Sequence, residues 1–321
     1  MEHLAALGRN IPAMAKPTFQ IYGELLNRPE SAAAIRSVQL TSHSYGEHEK
    51  QNIDLYHRSS VPIPGGKELR PILVFYFGGG FVSGGSTISE IPGGLVYGNV
   101  GYFFAEKLGY EVVIPGYRLL GDGAKFPSGA EDVQGALEWL QQHYHTESRD
   151  VFILGNSAGG VHVASWLVGG CYFPKKDNLL RQPGGPTLSS IIFLGTPFQW
   201  DTQGPLKDIL DTYYGGEDEI AKLEPTALMR RTVTRLRPKV VTENENILIV
   251  ISQFDPEPIE TAGRNFLKAW SEEGGKASLI TLDGYNHFSP PLALGTGICK
   301  EEEWGVNIGH WMMNQLQNEI I

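Results

Sequence analysis

The sequence is short of cysteine, with only Cys171 and Cys299 among its 321 residues. Two cysteines form one bridge at most, which excludes a disulfide framework and a cluster of thiolate metal ligands. A single bridge stays open, and this cysteine usage fits a reducing cytoplasm. The N-terminus has an acidic residue at position 2 and no cationic start followed by a long apolar stretch. We therefore expect no standard secretion signal and a cytoplasmic location.

The sequence also lacks a surplus of basic residues and long apolar runs. The formal net charge is −10 and the pI is about 5.4, whereas a protein that holds phosphate backbones needs a basic face. Nucleic acid is therefore not an expected partner. Apolar runs such as 71–77 are far shorter than the roughly 20 residues that span a bilayer. No membrane span is expected.

The dominant pattern that is present is an alternation of two kinds of segment. From about residue 37 onward, short β-branched and aromatic runs alternate with longer segments of helical period. This alternation is typical of an α/β fold in which helices cover both faces of a mostly parallel sheet. Eight strands are predicted, in the ranges 37–45, 52–57, 71–77, 111–117, 150–154, 189–194, 246–252 and 277–282.

Three helices are predicted between and after these strands. Residues 128–144 place Val133, Leu137 and Leu140 on one helical face, and 158–168 is apolar on nearly all sides. The first therefore predicts an amphipathic helix and the second a buried one. A closing helix is predicted over 301–317.

Two segments do not fit the alternation, residues 1–36 and an insertion near 200–242. Each is predicted to be either a helical lid over a pocket or a set of peripheral helices packed on the sheet. Residues 37–321 then form one catalytic domain of the α/β class.

The motif Gly-x-Ser-x-Gly at 155–159 is centred on Ser157 and lies where a predicted strand meets a predicted helix. This is the context of a nucleophile elbow, in which glycines permit a sharp turn that exposes the serine hydroxyl at the top of the sheet. The motif alone is a weak signal in a chain with 39 glycines. The strand before it and the apolar helix after it make it much stronger, so Ser157 is the candidate nucleophile.

A serine hydroxyl needs a base to take its proton, and the base needs a third group to orient it. His287 lies in a turn-rich loop after the last predicted strand and is the candidate base, whereas His310 lies in a predicted helix. Asp255, just past the end of the seventh predicted strand, is the candidate orienting acid. Rivals for that acid role are Glu257, Glu260 and Asp201.

A glycine-rich stretch, Gly78–Phe81, follows the third predicted strand. Its backbone N–H groups, completed by that of Ala158, can stabilise an oxyanion, because glycine lets the backbone approach a substrate carbonyl closely. No Gly-Lys-Ser/Thr follows, so a nucleotide loop is not indicated. His143 and His145 have no cysteine or further histidine close in sequence, and neither a metal nor another cofactor is expected.

These motifs in this order resemble those of the α/β-hydrolase esterases of the hormone-sensitive-lipase type and the related feruloyl-esterase and kynurenine-formamidase-like group. The likeness runs from about residue 45 to 318 and includes Tyr117-Arg118-Leu119. It implies the α/β-hydrolase fold and a catalytic triad. The implied site residues are Ser157 as nucleophile, Asp255 as orienting acid, His287 as base, and Gly79, Gly80 and Ala158 as oxyanion-hole donors.

The chain departs from the family's pattern at one position of the glycine loop. The family's loop normally begins His-Gly-Gly-Gly, and here Phe77 stands in place of the histidine. In the family the imidazole helps to order the loop. The backbone donors do not depend on this side chain, whereas the geometry of the loop does.

The expected function is that of a serine hydrolase, a carboxylesterase that cleaves an ester or similar acyl bond through an acyl-enzyme and needs no cofactor. The same triad serves an amidase, an arylformamidase or a lactonase, and a ligand-binding relative without catalysis also stays open. The expected partner is a small-molecule ester or amide, and a homodimer is left open. Aromatic residues near the predicted site favour an apolar or aromatic substrate, namely Phe77, Phe81, Trp200 and Phe288.

Overall fold

The computed structural model describes residues 2–57, 62–63, 68–169, 179–236 and 246–318. All eight predicted strands form. The boundary that differs most from its predicted position is the end of the last strand, which continues beyond Leu282 because its Asn286 pairs with Phe254 of the neighbouring strand. The strands are β1 (Gln39–Ser44), β2 (Asn52–His57), β3 (Ile72–Tyr76), β4 (Glu111–Pro115), β5 (Asp150–Asn156), β6 (Thr187–Leu194), β7 (Asn246–Phe254) and β8 (Lys276–Asn286).

The strands make one sheet in the order β1-β2-β4-β3-β5-β6-β7-β8. Strand β2 runs antiparallel to both of its neighbours, and the pairs from β4 to β8 are parallel. The prediction of a mostly parallel sheet is confirmed. Because parallel strands end at the same edge, the loops after β3, β5, β6, β7 and β8 meet there, which is where ligands bind in open α/β sheets.

Helices cover both faces of the sheet, as the alternation predicted. The amphipathic helix forms with Val133, Leu137 and Leu140 buried, and the helix after β5 is buried along its whole length. The α-helices of the described residues are α1 (Glu2–Ala5), α2 (Ile11–Leu26), α3 (Pro29–Ser37), α4 (Gly98–Tyr102), α5 (Ser128–His143), α6 (Ala158–Val168), α7 (Lys207–Tyr214), α8 (Glu217–Leu223), α9 (Pro225–Leu236), α10 (Glu257–Glu272), α11 (Ser289–Ala293) and α12 (Cys299–Asn318). A π-helix (Phe103–Lys107) and a 3-10 helix (Leu120–Asp122) are also present.

The core lies on both sides of the central strands, which is why they read as continuous apolar runs rather than alternating ones. Every residue of β3 is buried, as are all but the first residue of β5. Each large apolar side chain removed from water contributes about 1.5–3 kcal/mol. The rigid centre of the sheet thereby fixes the positions at which its loops begin.

The two segments outside the alternation are helical. The first forms α1–α3 and buries Tyr22, Leu26 and Ile35 against the rest of the core. The second contains α7–α9, while its last predicted residues, 237–242, lie outside the described residues, as does Cys171. Among the helices that the structure describes, none combines the length and the apolar character needed to cross a membrane.

Candidate active site

The sharp turn between β5 and α6 presents Ser157 with φ 50° and ψ −120°, a strained conformation for a residue with a side chain. The glycines of the motif are required by space. A Cβ on Gly155 would lie 2.6 Å from the Cα of Gly160, and one on Gly159 would lie 2.3 Å from the carbonyl oxygen of Phe77. Close packing of this turn on β3 therefore pushes the serine hydroxyl outward.

The side chains of Ser157, His287 and Asp255 form one hydrogen-bonded series. The Ser157 Oγ lies 2.9 Å from Nε2 of His287, and the Nδ1 of that ring lies 2.7 Å from Oδ1 of Asp255. A carboxylate only accepts, so Nδ1 donates to it and Nε2 is left to accept from the serine hydroxyl. The three residues come from three loops at the same edge of the sheet. This is the arrangement of a nucleophile, its base and the acid that orients the base.

The carboxylate of Asp255 is fully buried and held at both oxygens. Its Oδ2 accepts the backbone N–H of Ser252 at 2.7 Å, while Oδ1 accepts from His287. Gly195, after β6, makes room for the pair, because a Cβ there would come within 3.2 Å of the His287 ring. The sequence analysis missed Gly195, although a glycine directly after a predicted strand marked the position.

Three backbone carbonyl groups in the loop after β3 accept hydrogen bonds from other groups of the protein. The Phe77 carbonyl accepts from the Tyr117 hydroxyl at 2.7 Å, and the Gly79 carbonyl accepts the N–H of Ser83 at 3.0 Å. The Phe81 carbonyl accepts the N–H of Leu120 at 2.9 Å. Two of these carbonyls are thus held by residues outside the loop, and the third is held within it.

Two backbone N–H groups of this loop, and that of Ala158 at the start of α6, are free to bind a ligand. Within the described part of the chain, the N–H groups of Gly79, Gly80 and Ala158 donate to no protein acceptor. Gly79 and Gly80 have φ values of 146° and 60°, and a Cβ on Gly78 would lie 3.1 Å from the Cβ of Ser157. The loop therefore passes directly beside the serine, with its unused donors available to a charge that develops there.

Phe77, where the resemblance implies a histidine, is buried in a stack of aromatic rings. Its ring centroid lies 4.7 Å from that of Tyr117 and 5.6 Å from that of Tyr97, with interplanar angles of 23° and 13°. Both distances are those of favourable ring pairs. Burial raises the pKa of Tyr117 well above its usual value, so its hydroxyl stays a donor to the Phe77 carbonyl. Ring stacking and this hydrogen bond order the loop in the absence of the imidazole.

The chain also resembles known proteins in sequence and in fold. Residues 54–172 match the BD-FAE family model. A bacterial esterase of the hormone-sensitive-lipase family superposes with a TM-score of 0.62 over 93% of this chain and 97% of its own, at 16% identity. A fungal esterase from Rhizomucor miehei superposes with a TM-score of 0.61 over 94% and 90%, at 14% identity.

The chain has the α/β-hydrolase fold. In sequence, part of this chain is also similar to the acetylcholinesterases of Bungarus fasciatus and Electrophorus electricus. They are 30% and 29% identical over 137 and 120 residues, which are 41% and 36% of this chain. The aligned regions cover 22% and 19% of those proteins, so the chain matches about a fifth of their length.

The rival carboxylates and the second histidine of this α/β hydrolase lie elsewhere. Glu257, Asp201 and His310 are exposed to solvent. Glu260 instead pairs with Arg9 at 2.6 Å, and also with a neighbouring arginine on its own helix; these hydrogen bonds lower its pKa. The structure therefore brings Asp255, and not its rivals, to His287.

The remaining histidines do not form a metal site. His143 and His145 are exposed at the end of α5, and no cluster of His, Cys, Asp or Glu in the described ranges could hold a metal ion. His162 is enclosed in α6, where burial lowers its pKa to about 4. Its ring packs edge-on against Phe81 and Tyr117 at 5.4 and 4.8 Å, which gives it a packing role behind the glycine loop.

A cleft of about 810 Å³ lies between α2 and the segment around Pro92. Phe19 lines it, and the ring of Phe19 contacts that of Phe288 at 5.2 Å. Phe288 in turn contacts the ring of His287 at 5.3 Å. The two rings thus lie between the cleft and the base, and none of Ser157, Asp255 and His287 lines the cleft. Its volume is in the range that holds a small molecule.

Proposed function

We propose that the protein is a carboxylesterase-type serine hydrolase that cleaves an ester of a small, apolar or aromatic substrate through an acyl-enzyme. The observation that carries the proposal is the hydrogen-bonded series from Ser157 through His287 to Asp255, beside three unused backbone donors. The BD-FAE match and the esterases of the same fold support an ester as the substrate.

The reaction follows from the geometry in two halves. Ser157 Oγ attacks the substrate carbonyl while its proton passes to Nε2 of His287, and the resulting oxyanion accepts from the loop N–H groups and that of Ala158. His287 then gives the proton to the leaving alkoxide, which departs as the alcohol. Water repeats the steps on the acyl-enzyme and releases the acid. Asp255 stays ionised and stabilises the imidazolium in both halves.

The side chains around His287 support an apolar or aromatic substrate. The rings of Phe19 and Phe288 lie between the base and the 810 Å³ cleft, which is lined by Phe19 and by polar side chains such as Lys16 and Glu90. A ring or an acyl chain would bury apolar surface there at about 25 cal/mol per Å². We expect an apolar or aromatic group with a polar end.

The test is a substrate panel combined with active-site labelling. Purified protein is expected to hydrolyse p-nitrophenyl acetate and longer p-nitrophenyl esters, and a fluorophosphonate is expected to phosphonylate Ser157, located by mass spectrometry of the labelled peptide. Faster turnover of N-formylkynurenine or of a lactone would assign the amide or lactone chemistry of the same triad. A folded protein that neither labels nor hydrolyses any of these compounds would contradict an enzyme and favour a ligand-binding role.

Tyr117→Phe tests how the glycine loop is ordered. The substitution keeps the stacked ring and removes the hydroxyl that donates to the Phe77 carbonyl. A buried carbonyl without its partner costs about 1–3 kcal/mol, measurable as a lower free energy of unfolding in urea. Because the loop donors also lose alignment, we expect kcat to fall about 10-fold with little change in KM.

Tyr110→Phe is the matched control for this variant. Tyr110 is equally buried, and its hydroxyl donates to the Gly309 carbonyl on α12, away from the glycine loop. This control is expected to lose stability without losing kcat. An equal fall of kcat in both variants would show that the Tyr117 hydroxyl has no specific effect on the loop.

A further inference from the structure

The buried face of α2 is hydrogen-bonded to the loop that carries His287. Thr18, in the middle of α2, is fully buried, and its hydroxyl donates to the Met14 carbonyl at 2.7 Å. The same hydroxyl oxygen accepts from Nδ2 of Asn286 at 2.8 Å. Asn286 is the residue directly before His287, so one hydrogen bond joins the N-terminal helix to the neighbour of the base.

Asn286 uses its side chain to close the turn that presents His287. Its Oδ1 accepts the N–H groups of Phe288 and Ser289 at 3.1 and 3.0 Å, and its own N–H donates to the Ser289 hydroxyl at 2.9 Å. The amide plane is thereby set by two bonds at one end and by Thr18 at the other. Without Thr18, the buried Nδ2 would have no partner among the described residues, and the side chain could gain one only by rotating away from the turn.

Two other contacts tie the N-terminal segment to α12 and to β7. Tyr22 donates to the buried carboxylate of Glu301 on α12 at 2.7 Å. Arg9 donates to the Gln253 carbonyl at 3.1 Å, just before the loop that carries Asp255. The N-terminal segment therefore contacts the ends of both strands, β7 and β8, that lead into the acid and the base. A lid that opens would have to break the buried Thr18 bond on every turnover.

We propose that α2 is a fixed brace of the catalytic base, with Thr18 as a positioning residue that acts through Asn286, and that this helix does not open as a lid. The inference rests on the proposed function only in that it assigns His287 as the base. It replaces the lid alternative for the part of residues 1–36 that forms α2.

The test uses Thr18→Val, which keeps the shape of the side chain and removes the hydroxyl. The assay measures turnover of p-nitrophenyl acetate, with active sites counted by fluorophosphonate titration. We expect kcat per active site to fall about 10- to 100-fold while KM stays the same, because a small displacement of the base slows proton transfer without affecting binding. Thr18→Ser restores the hydroxyl and is expected to recover most of the rate. The second-order rate of fluorophosphonate labelling should follow kcat in each variant.

Thr212→Val is the matched control, because Thr212 also donates to the carbonyl four residues earlier, but on an exposed face of α7. It is expected to keep the kcat of the unsubstituted protein. In an Asn286→Ala background, Thr18→Val should have no further effect on kcat, as required if it acts through Asn286.

Three outcomes would overturn the brace. These are an unchanged kcat in Thr18→Val, a loss in Thr18→Ser as large as that in Thr18→Val, and full additivity with Asn286→Ala. The activity of the unsubstituted protein distinguishes failure of the brace from failure of the proposed function. If it is active and labelled while Thr18→Val matches it, only the brace fails; if it is itself inert, the proposed function fails.

Discussion

Replacing Ser157 by alanine is expected to lower kcat for p-nitrophenyl acetate by about 10⁶-fold, the loss seen when the serine of such a triad is removed. Without Oγ there is no atom to form the acyl-enzyme, and His287 has no hydroxyl from which to take a proton. The residual rate would come from the N–H groups of Gly79, Gly80 and Ala158 and from binding alone. Turnover by initial rates and loss of fluorophosphonate labelling both measure the effect.

The fold should survive this substitution. Alanine has the same Cβ as serine at φ 50°, so the strain of the turn is unchanged. Within the described part of the chain, the Ser157 hydroxyl donates only to His287. Ser190→Ala is a matched control, because Ser190 is buried in β6 and its hydroxyl donates to its own neighbour, Ser189. The control should keep full activity. Unchanged turnover in Ser157→Ala would end the assignment of the nucleophile.

The part of this site that the sequence predicts is the part carried by local patterns. The elbow at 155–159 is recognisable because its glycines, the strand before it and the apolar helix after it lie within one short stretch. Asp255 and His287 are recognisable because each lies in the loop after a predicted strand, and parallel strands bring such loops together. Continuous apolar runs likewise predict the central strands, because both faces of those strands are covered.

The contacts that the sequence does not predict join distant positions and have no periodic pattern. Thr18 in a helix and Asn286 in a loop carry no signal that they will meet, since 268 positions separate them. The stack around Phe77 likewise takes one ring from each of three segments, and nothing in the spacing of Tyr97 and Tyr117 indicates that they will enclose it. Only packing of the whole chain determines these partners.

Asp255→Asn is expected to lower kcat by about 10⁴-fold while leaving the fold intact, the effect that this exchange has in a serine-protease triad. The reason lies in the two bonds of the carboxylate. The N–H of Ser252 must still find an acceptor, so the amide oxygen of the new side chain turns toward it and the amide NH₂ faces Nδ1 of His287. Nδ1 must then accept, which moves the ring proton to Nε2. In that tautomer the ring cannot take the proton of Ser157.

The matched control for this variant is Asp201→Asn, since Asp201 is exposed and was a rival for the acid role. It should turn over p-nitrophenyl acetate at the rate of the unsubstituted protein. The two variants remove the same charge, so a loss confined to Asp255→Asn isolates the orientation of the base from the overall field of the protein. Full activity in Asp255→Asn would instead move the acid role to Glu257 or Glu260. The loop after β7 would then have to rearrange, because Glu257 is exposed and Glu260 is paired with Arg9 and Arg264.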